Sequence, residues 1–342
     1  MVLHYWSHKL PFKHPFTISS GTKTHQPTLI VALELGQYIG FGEAPAITYY
    51  NISVEKMIED LEANKKMVEK FALTDPERYW HYLYHLFPKN PFLVSALDMA
   101  GWDLWGKMKR LPLYKIWETE YTDNAPLTDF TIGIDSVRKM IIKMKEMPWP
   151  IYKIKLGTDN DIEIIEAMMK ETKAKIRVDA NAGWTTEEAL IKIPVLANLG
   201  VELIEQPLHK DNWDGMKQLY AQNVVPLFAD ESCVFEQDVE KCAGFFHGIN
   251  IKLTKCSGIT PARRMITNAR KLGLKIMMGS MNESSIGSSA VVQFLPQLDY
   301  VDVDGPLLLS NDLATSIQYD HGKVRPSSKP GLGITSITFD LQ

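Results

Sequence analysis

The sequence predicts an α/β protein: an eight-stranded parallel barrel of the TIM type that carries a smaller α+β domain. Two observations lead there. A strand-then-helix beat repeats from Ala125 onward, and charged residues stand at the ends of those strands. A third, a change of pattern within the first 120 residues, sets off the second domain.

The barrel elements come first. Short β-type runs recur at residues 130–133, 152–156, 176–180, 203–206, 227–230, 249–253, 276–279 and 300–304. Between them lie stretches of helical periodicity, such as 161–173 and 186–199. The spacing, about 25 residues, suits a β-loop-α-loop unit. Eight such units predict a parallel barrel over 125–321, with its site at the C-terminal ends of the strands. Lys155, Asp179, Glu205, Asp230, Lys252 and Asp304 all fall at those ends. At a barrel mouth a charge reaches a ligand, whereas mid-strand it would be buried at high cost.

Residues 1–120 read as an α+β domain. Strands are expected at 28–35 and 38–43, joined at Gly36-Gln37, and helices at 54–71, 76–86 and 92–109. The turn-rich, then β-like tail 322–342 is expected to return to this domain.

Composition bounds the function. The chain has 342 residues, 45% hydrophobic and 23% charged, enough for a barrel plus a second domain. The net charge is −4 and no long basic block occurs, which argues against nucleic acid and anionic membranes as partners. The first ten residues lack the pattern of a signal peptide, and the apolar run 301–309 is broken by Asp, Gly and Pro. Three cysteines (Cys233, Cys242, Cys256) show no zinc-type spacing. The expectation is a cytoplasmic protein, with self-association into a homo-oligomer left open.

Asp179, Glu205 and Asp230 end the third, fourth and fifth strands. Three convergent carboxylates without His or Cys make a hard, oxygen-only site suited to Mg²⁺. Lys153 and Lys155 share one face of the second strand. Facing outward they would be solvated lysines beneath the helices. Facing inward, each would lower the pKa of the other and make one a usable base. Lys252 ends the sixth strand, across the barrel from Lys155.

Lys153-Ile-Lys155, Val178-Asp-Ala-Asn181, Ile204-Glu-Gln-Pro207, Ala229-Asp-Glu-Ser232 and Asn250-Ile-Lys252 resemble, in order and spacing, the muconate-lactonizing subgroup of the enolase superfamily. Gly40-Phe-Gly-Glu-Ala44 and Ala96-Leu-Asp-Met-Ala-Gly-Trp-Asp103 resemble its capping-domain signatures. The resemblance implies a modified, (β/α)7β-like barrel under an α+β capping domain. It implies one Mg²⁺ per subunit on Asp179, Glu205 and Asp230, an acid/base pair in Lys155 and Lys252, and Lys153 on the substrate carboxylate. Asn181 and Glu231 would stand behind the metal ligands. Abstracting a proton beside a carboxylate puts a second negative charge on it, which a fixed divalent cation offsets.

The subgroup includes cycloisomerases, o-succinylbenzoate synthases, N-acylamino acid racemases and dipeptide epimerases. Asp302-Val-Asp304 is similar to the dipeptide epimerase pattern, in which the pair receives the α-ammonium of the dipeptide. Otherwise this strand would carry one inward acid that supports the metal and lysine network. The implied function is dipeptide epimerisation through an enediolate. The alternatives are an N-acylamino acid racemase or o-succinylbenzoate synthase, and a non-catalytic binding protein on the same scaffold. Residues 14–27 correspond to the mobile capping loop, where epimerases acting on alanyl-glutamate are expected to hold an arginine. None is present, and Gly21, Lys23 and His25 stand nearest that place. Met281 is a candidate for the pocket wall, whereas Met277 and Met278 read as barrel packing. His81 and His85, one helical turn apart, lack a third ligand. Gly331-Leu-Gly333 reads as a turn, and Cys233 as a buried thiol.

Overall fold

The computed structural model describes residues 1–19 and 21–341. The chain opens with an antiparallel sheet of β1 (Val2–Ile18), β2 (Gly21–Leu35) and β3 (Tyr38–Pro45), in that order. The sequence reading missed β1 and took 14–27 for a loop. That segment is instead the end of a hairpin, with Phe16 opposite Lys23 and Ile18 opposite Gly21. β1 is an edge strand of its sheet, with β2 on one side and an isolated bridge from Phe12 to Leu309 on the other, where Pro11 and Pro15 are tolerated; its register slips between Pro11 and Phe16.

Helices α1 (Val54–Lys70), α2 (Pro76–Leu86) and α3 (Pro91–Lys109) follow, each entered through a capping side chain: Ser53, Asp75 and Asn90. Helix α3 is buried along most of its length because it lies against β3 on one side and the barrel on the other. Gly40 and Gly42 permit that approach, since a Cβ at either would collide with the α3 carbonyls of Ala100 or Ala96.

Asp103 of α3 is fully buried and ties three segments together. Its carboxylate accepts hydrogen bonds from Phe41 N (2.8 Å), Lys107 Nζ (2.7 Å) and Leu332 N of the tail (2.8 Å). Asp103→Ala would strand these donors and should lower unfolding stability by about 3–5 kcal/mol, read from a urea titration. A loss below about 1 kcal/mol would show that water replaces the carboxylate at no cost.

After α4 (Leu113–Ile116) the barrel strands are β4 (Phe130–Ile132), β5 (Ile151–Lys155), β6 (Lys175–Asp179), β7 (Leu203–Glu205), β8 (Leu227–Ala229), β9 (Gly248–Ile251), β10 (Lys275–Gly279) and β11 (Tyr300–Asp302). They form one parallel sheet in chain order, and a parallel bridge from Thr128 to Val301 brings the last strand back to the first. The crossovers are α5 (Val137–Glu146), α6 (Asp161–Glu171), α7 (Thr186–Leu199), α8 (Trp213–Gln222), α9 (Asp238–Cys242), the pair α10 (Leu253–Cys256) and α11 (Ile259–Lys271), and α12 (Ser285–Val292). Among the described residues, the one helix after β11 is the single turn α13 (Gly305–Leu308), so seven β/α units precede a strand with no full crossover helix.

Strand alternation sorts the side chains. Outward residues such as Ile154, Val178, Ile204 and Met278 join the main core against the helices. Leu203, Phe228 and Met277 point inward and form a small separate cluster with Tyr300. The remaining interior is polar: Lys153, Arg177, Asp179, Glu205, Asn250 and Asp302 are all buried.

The two parts of the chain are pinned together. Trp80 Nε1 donates to Ser257 O (2.9 Å), and Asp98 accepts from Thr260 N (2.9 Å) and Oγ1 (2.8 Å). Near the hairpin end, Ile134 N donates to Thr17 O (2.8 Å) and Ser19 Oγ to Asn181 O (3.3 Å), so the hairpin lies over the loops that follow β4 and β6. Of the tail, Gly322 O accepts from Thr128 N (2.8 Å) beside the barrel, whereas Phe339 reaches the edge strand at Trp6 and His8. Among the described residues, no helix is long and apolar enough to cross a membrane.

Candidate active site and metal centre

The alternation along β5 answers the question of where its lysines point. Tyr152 turns outward, its hydroxyl donating to Met144 O and Met147 O, and Ile154 packs in the outer core. Lys153 and Lys155 therefore enter the barrel.

There Lys153 Nζ lies 2.7 Å from Glu205 Oε2, 2.8 Å from Asp302 Oδ2 and 3.2 Å from Asp179 Oδ2. Lys155 Nζ lies 2.6 Å from Asp179 Oδ2, and Lys252 Nζ 2.7 Å from Asp230 Oδ2. Asp179, Glu205 and Asp230 each offer an oxygen within 4.8 Å of the others. Among the described residues they are the one group of three or more His, Cys, Asp or Glu side chains so placed. All three are buried at the mouth on consecutive strands, and an all-carboxylate set of that size fits a hard divalent cation.

The expected mutual lowering of two lysine pKa values does not occur at Lys153. Burial alone would lower it, but Asp302, Glu205, Asp179 and Asp129 outweigh burial and hold it well above the usual lysine value. Its close neighbours are carboxylates rather than Lys155. Lys252 is raised in the same way: burial opposes the charge, and Asp230 and Glu205 prevail. Among the acids, burial pushes Glu205 up to about 7 despite Lys153. Asp302 goes the other way, to about 2, because Lys153 overcomes the penalty of burial.

Asp302 and Asp304 do not share a strand face as their spacing implied. Strand β11 ends at Asp302, and Asp304, at φ −89° and ψ 1°, caps α13. Asp302 meets Lys153, whereas Asp304 Oδ2 accepts the N–H of Thr131 on β4 at 2.5 Å. Burial, then the Asp302 charge, raise Asp304 to about 7. The two remain close enough to repel.

The other anticipated residues lie on several elements. Asn181 N donates to Asp179 Oδ1 (2.9 Å), and Asn181 Oδ1 is buried without a protein partner. Glu231 Oε2 is likewise buried and unpartnered, beside Asp230 in sequence. On the hairpin, Gly21 opens β2 at φ +145°, His25 is exposed, and Lys23 is half-buried with its ammonium 3.5 Å from Gln26 Oε1. Met281 is partly buried and packs on the core of the N-terminal domain. His81 and His85 stay on the surface of α2, His85 Nδ1 paired with His81 O. Met277, Met278 and the three cysteines are buried, the cysteines all as free thiols.

Four residues escaped the sequence reading. Asn250 Nδ2 donates to Glu205 Oε1 at 2.8 Å, and Gln206 Oε1 accepts from Asp230 N at 2.9 Å. Lys255 Nζ lies 2.5 Å from Asp230 Oδ1. Tyr50, in the short 3-10 turn Thr48–Tyr50 of the N-terminal domain, is raised by burial and then by the charges of Asp230 and Glu231. The lysine repeated three positions after Lys252 was the one available signal.

Carboxylates on the third to fifth strands, lysines on the second and sixth, and an α+β cap over a (β/α)7β barrel define an enolase-type fold and site. The chain belongs to the mandelate racemase / muconate lactonizing enzyme family: residues 3–117 match its N-terminal domain and residues 136–337 the enolase C-terminal domain-like model. It is 50% identical over 327 residues to an L-Ala-D/L-amino acid epimerase of Maribacter sp., covering 95% of this chain and 96% of that one. Among solved structures it is similar to the substrate-liganded L-Ala-D/L-Glu epimerase from Bacillus subtilis, with TM-score 0.93, 30% identity and 99% of each chain covered. It is also similar to the dipeptide epimerase from Methylococcus capsulatus complexed with Mg and L-Arg-D-Lys, with TM-score 0.92, 27% identity and 98% and 99% covered.

Proposed function

We propose that this chain is a Mg²⁺-dependent dipeptide epimerase. It would invert the α-carbon of the C-terminal residue by taking a proton from one face and returning it to the other. The observation that carries this reading is the placement of Lys155 and Lys252 on strands four apart in an eight-stranded barrel, hence facing each other, with the three-carboxylate cluster on the strands from β6 to β8.

Asp179, Glu205 and Asp230 would hold Mg²⁺, which when bound would supply a fixed positive charge to offset charge developing on the substrate carboxylate. Lys155 and Lys252 serve as the two bases, one on each side of the α-carbon. Lys153, held cationic by its surroundings, is suited to bind the substrate carboxylate rather than to take a proton. Asp302 and Asp304 would receive the α-ammonium. Asn181 and Glu231 support the metal ligands from behind. With no arginine in residues 14–27, the second side chain of the dipeptide is not restricted to glutamate, and Gly21, Lys23, His25 and Met281 border its pocket. Three buried free thiols suit a reducing cytoplasm.

A dipeptide library incubated with enzyme and Mg²⁺ in D₂O, read by mass for deuterium at the α-carbon, tests the reading directly. Free dipeptides should exchange and N-acetylated amino acids should not. Asp304→Asn should cut kcat/KM for dipeptides by about ten- to a hundred-fold, the effect of losing one charge-assisted partner worth about 1.5–3 kcal/mol. Equal turnover of N-acylated substrates by the wild type would replace this reading with an N-acylamino acid racemase.

A further inference from the structure

Lys255 takes no part in the steps above, yet it is built into the site more firmly than either proposed base. Its side chain is fully excluded from solvent, whereas that of Lys252 is 10% exposed. The two sit three residues apart on one turn, since Lys252 caps the single-turn helix α10 and Lys255 N donates to Lys252 O at 3.0 Å. Their ammoniums then part. Lys252 meets only Asp230 Oδ2. Lys255 meets Asp230 Oδ1 at 2.5 Å and three main-chain carbonyls: Asp230 O at 2.6 Å, Cys233 O at 3.1 Å and Asn250 O at 3.2 Å.

An ammonium has three protons to donate, so four acceptors within reach use its full capacity. Three of the four belong to the loop after β8, and the fourth to β9. The contacts fix one oxygen of Asp230, the main chain that carries it and the turn that follows, all relative to the strand that delivers Lys252. Gln206 secures the same turn from the other side, its Oε1 accepting from Asp230 N (2.9 Å) and Ser232 N (3.1 Å). Asp230 Oδ2 is then the oxygen left to the mouth.

We infer that Lys255 is a positioning residue for Asp230: by holding Oδ1 and the turn carbonyls, it aims Oδ2 at the cation site and keeps Lys252 in register with it. The inference rests on the metal reading above. It opposes a simpler electrostatic view. As a positive charge beside a cation site, Lys255 would weaken metal binding, and its removal would tighten it. As a positioning residue, its removal takes the ammonium partner from a carboxylate oxygen and three main-chain carbonyls, of which Asp230 O keeps the N–H of Cys233, the turn shifts to recover partners, and binding weakens.

The test is Mn²⁺ binding, followed by electron paramagnetic resonance of the free ion, in the wild type, Lys255→Met and Lys255→Gln. Circular dichroism and a thermal melt establish folding. Lys255→Met should raise the Kd for Mn²⁺ about 10- to 100-fold, the usual effect of losing a group that orients a ligand. Lys255→Gln, which keeps two donors, should fall between Lys255→Met and wild type. For dipeptide turnover, the loss should appear mainly in kcat. A folded variant with an unchanged or smaller Kd would overturn the inference, and so would failure of both variants to fold, which would assign Lys255 to the fold alone. Failure of the wild type to bind Mn²⁺ would instead bring down the metal reading.

Discussion

Lys155→Ala and Lys252→Ala should each abolish epimerisation while leaving hydrogen exchange at the α-carbon of one enantiomer. Lys155 ends β5 and Lys252 follows β9, strands separated by three others in the eight-stranded barrel, so in the proposed reaction the two ammoniums would approach a carbon at the mouth from opposite sides. Inversion needs both faces, whereas exchange with solvent needs only the base on the face that bears the proton. A positioned base contributes about 10²–10⁴-fold, so each loss should be of that order or greater. Incubation of each enantiomer with each variant in D₂O, read by mass spectrometry and chiral chromatography, gives a crossed pattern: Lys155→Ala exchanges one enantiomer and Lys252→Ala the other. Inversion at the wild-type rate by either variant would remove that lysine from the chemistry. Retention of exchange in the same enantiomer by both would show that they act on one face.

The barrel was legible because its signal is local and repeated. A strand buried on both sides reads as a short apolar run, and six of the eight runs here carry a charged residue at or near the end. Strand β1 gave no such signal. It is an edge strand holding His4, His8, Pro11, His14 and Pro15, residues admitted because one side of its backbone lacks a continuous strand partner. The carboxylate cluster, Lys155 and Lys252 were legible for the same reason as the barrel, since they stand at strand ends, whereas the inward face of Lys153, mid-strand, followed from alternation along β5. Lys255 was not, because a lysine on a one-turn helix resembles any surface lysine, and its burial depends on carbonyls from β9 and the β8 loop. The charge state of Lys153 was misread because Lys155 is near in sequence, whereas Asp302 and Glu205 are near only in space. Asp304 was misplaced because the chain leaves the strand conformation after Asp302, which period-two spacing cannot foresee.

Asp230→Asn should eliminate turnover without unfolding the protein, and chelation of the wild type should do the same reversibly. The substitution preserves size and keeps one acceptor oxygen, so Gln206 can still hold the main chain at this position. What it removes is one of three charges in a cluster whose oxygens lie within 4.8 Å, and the partner shared by Lys252 and Lys255. The metal reading gives the cation one task, offsetting charge on the substrate carboxylate, and a weakened site loses affinity and rate together. A loss of at least about 10³-fold in kcat/KM is expected, corresponding to about 4 kcal/mol of transition-state stabilisation. Excess Mg²⁺ should recover little of it, because the lost carboxylate also set the position of Lys252. The thermal midpoint should fall too, because Lys252 and Lys255 outweigh burial and hold the Asp230 carboxyl well below its usual range, but relief of repulsion with Asp179 and Glu205 offsets part of that loss and the protein should stay folded. Activity, melting temperature and Mn²⁺ affinity measured on one preparation separate these effects. Full turnover by the wild type after exhaustive chelation would end the metal-dependent reading, whatever the variant does.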